Sequence, residues 1–122
     1  MRTERRLRRS HDTLEALELQ LEATAERTAC SALVLTGKDG LKLAEAGDDE
    51  AADELAALAP GLVCDGRRWH GALATSAGER LVTVAPIPGD GGTLFLCAVG
   101  GQLCVLGPEL ALGGLAVQRI LH

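Results

Sequence analysis

The chain has 122 residues, of which 47% are hydrophobic and only 2% aromatic, and its formal net charge is -5 at neutral pH. This length suits one domain with a single core built mainly from leucine, valine and alanine. The acidic balance and the shortage of aromatic side chains argue against nucleic acid as the main partner, since single-strand binders use basic grooves and aromatic stacking. The sequence holds no apolar run long enough for a signal peptide or a membrane span.

Residues 1–9 form a basic N-terminal arm, and we assign residues 10–122 to the domain itself. The arm holds five arginines against one glutamate, whereas the rest of the chain is acidic. Three interpretations stay open: a solvated helix extension, a contact for an acidic protein surface, and a phosphate-binding tail.

An amphipathic helix is predicted from Ser10 to Thr28, where leucines recur at steps of three and four residues. A hairpin follows between Cys30 and Ala46. Its first strand, Ser31–Thr36, is apolar on both faces, as expected for a central strand that is covered on both sides. Residues 37–40 read Gly-Lys-Asp-Gly and supply the turn, because aspartate and glycine tolerate positive φ.

The stretch from Asp48 to Cys64 predicts the helix around which the chain is organised. Its first turn is acidic, which suits the positive end of a helix dipole, and residues 55–64 carry no charge. A surface helix of a monomer needs one apolar stripe, whereas this helix is apolar on two neighbouring faces. We therefore expect it to pack between its own sheet and a second copy of the chain. Pro60 either kinks this helix or ends it.

The second half of the chain predicts three more strands, at Arg68–Thr75, Arg80–Ile87 and Thr93–Val99. Gly100-Gly101 then leads into Gln102–Leu106, which is compatible with an additional strand. A closing helix begins at Gly107-Pro108, since proline is tolerated in the first helical turn. The order helix-β-β-helix-β-β-β-helix predicts an α+β fold, in which helices flank an antiparallel sheet of five or six strands.

This pattern resembles the Roadblock/LC7 family from Ala29 to Leu121. The resemblance rests on the run CSALVLTGKDGLKLAEAG, on DDEAADELAALA directly after it, and on the closing ELALGGLAVQRIL. It implies profilin-like layering and a homodimer in which the helix after the first hairpin pairs with its symmetry mate. It also implies that the two sheets join at the strand Arg68–Thr75.

The family typically provides platforms for small Ras-like GTPases, as in bacterial cell-polarity systems. The resemblance therefore implies a cytoplasmic homodimer that is not itself an enzyme and that holds or regulates such a GTPase. Stimulation of GTP hydrolysis would then act through the GTPase's own residues. The alternative is a self-assembling structural or protein-interaction module with no GTPase partner, which uses the arm and the first helix.

The interface of the implied dimer is expected to contain Leu55, Ala56, Leu58, Ala59, Leu62 and Trp69. For Trp69 two roles stay open, a core side chain or an interface anchor. Arg67 and Arg68 are the nearest candidates for contact with an acidic partner, and the simpler alternative is a solvated start to the strand.

Neither a catalytic site nor a metal site is predicted, and no cofactor is expected. The histidines have no convincing base or nucleophile partner in the sequence. Cys64, His70, Cys97 and Cys104 could in principle gather a zinc ion, but they lack the close spacing usual for zinc ligands. Cysteines inside apolar runs and without a CxxC pair instead indicate reduced, buried thiols in a cytoplasmic protein.

Overall fold

The computed structural model describes residues 2–47, 50–63, 65–89, 91–101 and 103–121, and the side chains of all these except 2–11 and 103–105. The described elements follow in the order α1 (Arg2–Thr28), β1 (Cys30–Thr36), β2 (Lys42–Gly47), α2 (Ala52–Leu62), β3 (Trp69–Thr75), β4 (Gly78–Ile87), β5 (Leu94–Gly100) and α3 (Leu103–Leu121). This order confirms the predicted α+β class and the predicted sequence of helices and strands.

The strands form one antiparallel sheet in the order β2-β1-β5-β4-β3. β1 and β5 lie in the middle and are buried over most of their length. Their continuous apolar sequences follow from this position, because helices cover both faces of the sheet. β2 and β3 are the two edges, and the sheet has five strands within the described residues.

Helices occupy both faces of the sheet, and each face has its own buried cluster. α1 and α3 cover one face, where Leu21, Leu96 and Leu110 pack together. α2 covers the other face, where Leu55 packs with Val34 and other β-branched side chains. Full burial of each such side chain contributes about 1.5–3 kcal/mol before conformational entropy is subtracted. Among the described helices α2 lies alone on its face of the sheet, so no neighbouring helix covers its flanks.

The additional strand left open at Gln102–Leu106 is not formed, and the predicted start of the last helix at Gly107-Pro108 is wrong, because α3 already begins at Leu103 and contains Pro108. Gly100 and Gly101 have positive φ angles of +76° and +83° and reverse the chain directly into this helix. Leu106 is buried in phase with Leu110, so the helix is fixed to the sheet from its first turns. Gln102 itself lies outside the described residues.

Two helix boundaries left open by the sequence are defined in the structure. α2 continues through Pro60 and ends at Leu62, after which Val63 is extended with φ -89° and ψ 115°. α1 begins at Arg2, so residues 2–9 continue the predicted first helix without a break. The described helices include none with the length and apolar character needed to cross a membrane.

Candidate dimerisation surface

α2 has a side turned to the sheet and a side turned outward. Leu55 has none of its surface exposed, and Ala56 and Ala59 are likewise buried against the sheet. Leu58, three residues after Leu55, lies at the margin of this buried face and is 43% exposed, and Leu62 is half-buried. Three of the predicted interface residues therefore pack against the sheet of their own subunit. Leu58 and Leu62 remain accessible to another molecule.

The N-terminal half of α2 is fixed by polar contacts from two directions. Lys42 Nζ of β2 lies 2.6 Å from Asp53 Oδ1 and 2.9 Å from Glu45 Oε1. On the opposite side, the Glu54 carboxylate accepts hydrogen bonds from the Ser76 backbone N–H at 3.1 Å and from its Oγ at 2.8 Å. α2 is thus tied both to β2 and to the turn between β3 and β4.

These contacts shift two pKa values in the directions that their chemistry requires. Hydrogen bonds to the Asp53 and Glu45 side chains raise the pKa of Lys42 above its ordinary value. The backbone and side-chain hydrogen bonds from Ser76 lower the pKa of the Glu54 carboxyl. Sequence reasoning missed both contacts, because the partners are separated along the chain by 11 and 22 residues.

The C-terminal half of α2 differs from its first turn. Residues 57–62 carry no charge, and Ala57, Leu58 and Gly61 are all exposed. This apolar half of α2 lies on the same side of the sheet as Trp69 and Leu73 of β3. These two side chains pack at the margin of the buried cluster beneath α2. Together these residues form a surface that we call the α2–β3 surface: Leu58, Gly61 and Leu62 of α2 with β3.

β3 is the edge strand of this surface, and its seven residues include no aspartate, glutamate, lysine or arginine. Within the described chain β3 pairs only with β4, in regular register from Trp69 opposite Val84 to Thr75 opposite Gly78. Its other edge is therefore available for another strand. Polar backbone groups on such an edge can pair with a second chain.

Trp69 is half-buried and its indole lies over Gly71 in the same strand. A Cβ atom built on Gly71 would be 2.9 Å from the indole Cζ2 and Cη2 atoms, so only glycine leaves room for the ring. The ring therefore lies along the strand on the α2 side of the sheet and forms part of the α2–β3 surface. The sequence signal for this arrangement is the Trp-His-Gly spacing, which places Trp69 and Gly71 on one face of a strand.

Arg67 and Arg68 are exposed and lie in the connection that leads into β3. Arg68 extends over α3, since its Nη1 is 3.0 Å from the position of a Cβ atom built on Gly107. It lines one end of a cleft of about 400 Å³ between β4 and α3, together with Ala85, Ala111 and Leu115. Arg68 is therefore directed to the α3 face, opposite to the α2–β3 surface.

The thiols and histidine weighed as zinc ligands do not converge. Cys97 is fully buried on the α2 face, whereas the His70 side chain lies on the other face, with Nδ1 2.7 Å from Thr83 Oγ1. Cys64 and the Cys104 side chain lie outside the described residues. The described part of the chain contains no group of three or more metal-ligating side chains.

Comparison with known proteins identifies the fold. No family model and no curated protein sequence matches the chain. The solved structure of MglB from Myxococcus xanthus is similar with a TM-score of 0.70 at 12% sequence identity, over 88% of this chain and 89% of that one. An MglB with a tetrameric arrangement gives a TM-score of 0.67 at 19% identity, over 88% and 89% of the two chains.

A Roadblock/LC7 domain from Streptomyces avermitilis is also similar, with a TM-score of 0.65 at 27% identity. That likeness covers 85% of this chain and 96% of the other. The same succession of helices and strands was expected from the runs quoted above. The chain has the Roadblock/LC7 fold, and its resemblance to the Roadblock/LC7 family is confirmed.

Proposed function

We propose that the chain forms a homodimer through the α2–β3 surface, and that this dimer is a cytoplasmic, non-catalytic scaffold or regulator of a small Ras-like GTPase. The observation that carries the proposal is the uncharged outer edge of β3 beside the uncharged, exposed half of α2.

The dimer follows from the chemistry of this surface. A second β3 can pair antiparallel with the first about a two-fold axis, which joins the two sheets and satisfies the edge groups of both. The same axis brings the two α2 helices together, with Leu58 of each helix toward the other copy. Trp69 and Leu62 lie beside this contact, and the small residue Gly61 allows the helices to approach closely.

The GTPase partner is supported by the fold and by the family resemblance. Small Ras-like GTPases are the partners that the resemblance implies, and MglB structures share the fold. The tetrameric arrangement of one MglB is a precedent for self-association in this fold. We assign Arg67 and Arg68 to an acidic surface of the partner, because both are exposed in the connection that leads into β3 and Arg68 lines the cleft beside α3, away from the proposed dimer contact.

Capture from native lysate tests the partner. Immobilised chain is incubated with lysate of its source cells in the presence of GDP or of a non-hydrolysable GTP analogue, and retained proteins are identified by mass spectrometry. We expect one small GTPase to be retained in one nucleotide state. The variant R67E/R68E should reduce its retention by about tenfold, whereas K38E/R119E, which changes net charge equally at two other exposed positions, should not.

Both variants should keep the mass of the wild-type dimer, so that loss of capture is not loss of assembly. A wild-type dimer that retains no GTPase in either nucleotide state would contradict the proposal and favour the module without a GTPase partner.

A further inference from the structure

The cleft of about 400 Å³ beside α3 lies where β4 continues past the start of β3. β3 begins with Trp69 opposite Val84, whereas β4 extends to Ile87, so the last residues of β4 have no residue of β3 beside them. α3 approaches this end of β4 closely, because a Cβ atom on Gly114 would be 3.4 Å from Ile87 Cγ1. The volume lies within the range of about 300–1,000 Å³ that is usual for ligand sites.

Arg68 is the one charged side chain among the described residues that line this cleft. It lies over Gly107 at one end, where a Cβ atom would be 3.0 Å from its Nη1. The described ion pairs do not include Arg68, and the nearby Glu109 of α3 is engaged by Arg27 at 2.8 Å. A guanidinium in this position favours a carboxylate, which it can bind through two parallel hydrogen bonds.

A second apolar cavity continues the cleft toward the end of α3. Its volume is about 280 Å³, and its described lining carries no charge. Leu43 and Leu121 line it and are each 43% exposed. Gln118 lines both cavities and donates a hydrogen bond from Nε2 to the Pro88 carbonyl oxygen at 2.7 Å. Because this bond joins α3 to the loop after β4, it divides the apolar space into two compartments.

The guanidinium and the two compartments follow one another along α3. The distance along the helix from Gly107, beneath Arg68, to Leu121 is about 21 Å. An extended chain advances about 3.3 Å per residue, so about seven residues cover this distance. Alternate side chains of such a chain point to the same side, and the first, third and seventh can therefore all face α3.

We propose that these features form a docking site for an extended segment of a partner protein, about seven residues long, with a carboxylate at one end and two apolar side chains. The carboxylate binds Arg68, and one apolar side chain occupies each compartment. Covering Leu115, which is 52% exposed, together with Leu43 and Leu121 removes apolar surface from water and supplies most of the affinity. Arg68 sets the direction in which the segment lies.

A protein segment suits this site better than a fatty acid. Both ligands combine a carboxylate with apolar groups, but an unbranched acyl chain needs one continuous channel. The hydrogen bond between Gln118 and Pro88 closes such a channel. A peptide presents separate side chains from a backbone that can pass outside this bond, so it can fill both compartments.

This inference rests on the proposed assignment of Arg68 to an acidic partner surface, but it requires neither a GTPase nor the β3 dimer. The cleft lies within one subunit, between β4 and α3. Peptide binding to the purified chain tests the docking site, whereas nucleotide-dependent capture from lysate tests the GTPase. Failure of one proposal is therefore distinguishable from failure of the other.

Fluorescence anisotropy with synthetic peptides tests the docking site. The probes are two labelled seven-residue peptides with blocked ends, which carry glutamate at the first or at the last position so that both chain directions are covered. Leucine occupies the third and seventh positions counted from the glutamate, and serine fills the others. We expect saturable binding of at least one probe, and replacement of its glutamate by glutamine should weaken binding by about threefold to tenfold.

Variants of the chain show whether the probe binds in the cleft. Arg68→Glu should lose the glutamate probe and bind the same peptide with lysine in place of glutamate. Arg67→Glu is the matched control, because Arg67 is exposed in the same connection but does not line the cleft. Ala111→Trp should fill the first compartment and weaken binding at least about tenfold. Leu112→Trp, at the next position of α3 and outside the cleft, should not.

Circular dichroism checks that each variant keeps the wild-type helix content. Binding of neither probe to the wild type would overturn the proposal. Equal binding by the wild type, Arg68→Glu and Ala111→Trp would do the same, since the probe would then lie elsewhere. Complete displacement of the probe by decanoate at an equal concentration would also overturn it, because an undivided apolar channel would then exist.

Discussion

The two edges of the sheet differ in the features that control pairing between chains. β2 carries Lys42 and Glu45 and has an irregular register between Leu35 and Thr36 of β1, and charges and bulges both discourage a second strand from adding. β3 is regular, seven residues long and uncharged. An edge without protection in an otherwise charged chain indicates a strand that has a partner, so the difference points to β3 as the joining edge.

The first turn of α2 has polar contacts on both the β2 side and the β3 side of the sheet. Lys42 both protects the β2 edge and holds Asp53 in the first turn of α2 at 2.6 Å. Glu54 fixes that turn from the β3 side through Ser76. The polar contacts thus position one half of the helix, and the other half remains apolar and accessible. The first half of α2 is therefore fixed to the sheet, and the second half is the part that the proposed dimer uses.

Replacing Leu58 with aspartate should have the largest effect on the proposed dimer. A carboxylate at the centre of the proposed contact would lose its hydration without gaining a partner, and we expect the dimer dissociation constant to rise at least about 100-fold. The subunit should stay folded, because Leu58 is already 43% exposed within it. Sedimentation equilibrium measures the mass, and circular dichroism measures the fold.

Leu112→Asp is the matched control, because Leu112 is 58% exposed but lies on α3, on the other face of the sheet. An unchanged dimer in both variants would place the contact elsewhere.

Giving β3 the protection that β2 has should produce the next largest effect. Ala72 and Ala74 are exposed on β3, and lysine at both positions would bring like charges together along the paired strands. We expect the dimer to weaken by about tenfold or more, measured by the same sedimentation experiment. Lysine at the exposed Ala111 of α3 should have no effect on the dimer, and weakening there of equal size would indicate a general effect of charge.

Gly71→Ala tests the position of the Trp69 ring and its contribution to the proposed dimer contact. The new methyl group would meet the indole ring, which must then move away from the strand. The chain has one tryptophan and no tyrosine, so its fluorescence emission reports this ring alone. We expect a shift of the emission to longer wavelength and a dimer weaker by about threefold to tenfold. Gly91→Ala, where a Cβ atom meets nothing within 4 Å, is the control; emission unchanged by Gly71→Ala would contradict the assigned position of the ring.

The smallest expected effect is a pH-dependent change in the free energy of unfolding, caused by Glu54 in the first half of α2. The folded pKa of Glu54 lies below its ordinary value of 4.5, so its contribution to stability is present above that pH and is lost as the pH falls through the folded pKa. Glu54→Gln should therefore lower the free energy of unfolding at neutral pH, and its difference from the wild type should vanish in acid. Urea denaturation over a pH series measures this. Ser76→Ala should reproduce part of the effect, whereas a difference that persists in strong acid would exclude the ionised carboxylate as its cause.

Short-range patterns predicted most of the fold, and long-range packing limited the rest. β1 is apolar on both faces because helices cover both sides of the sheet, and this pattern identified it as a central strand. The same reasoning placed the start of α3 too late, since the two glycines before the helix and Pro108 within it are residues typical of a loop. The helix around Leu58 was predicted to be buried on two sides, but sequence alone did not show that Leu55 faces the sheet. The contacts of Lys42 and Glu54 depend on strands that come together only in the folded chain.

Hydrogen exchange at the two edges tests the central claim most directly. Residue-resolved amide exchange is measured by NMR at protein concentrations above and below the dimer dissociation constant. The account predicts that the outward-facing amides of β3 exchange slowly at high concentration and quickly after dilution, whereas those of β2 exchange quickly at both. Outward-facing amides of β3 that exchange as fast as those of β2 at every concentration would contradict it.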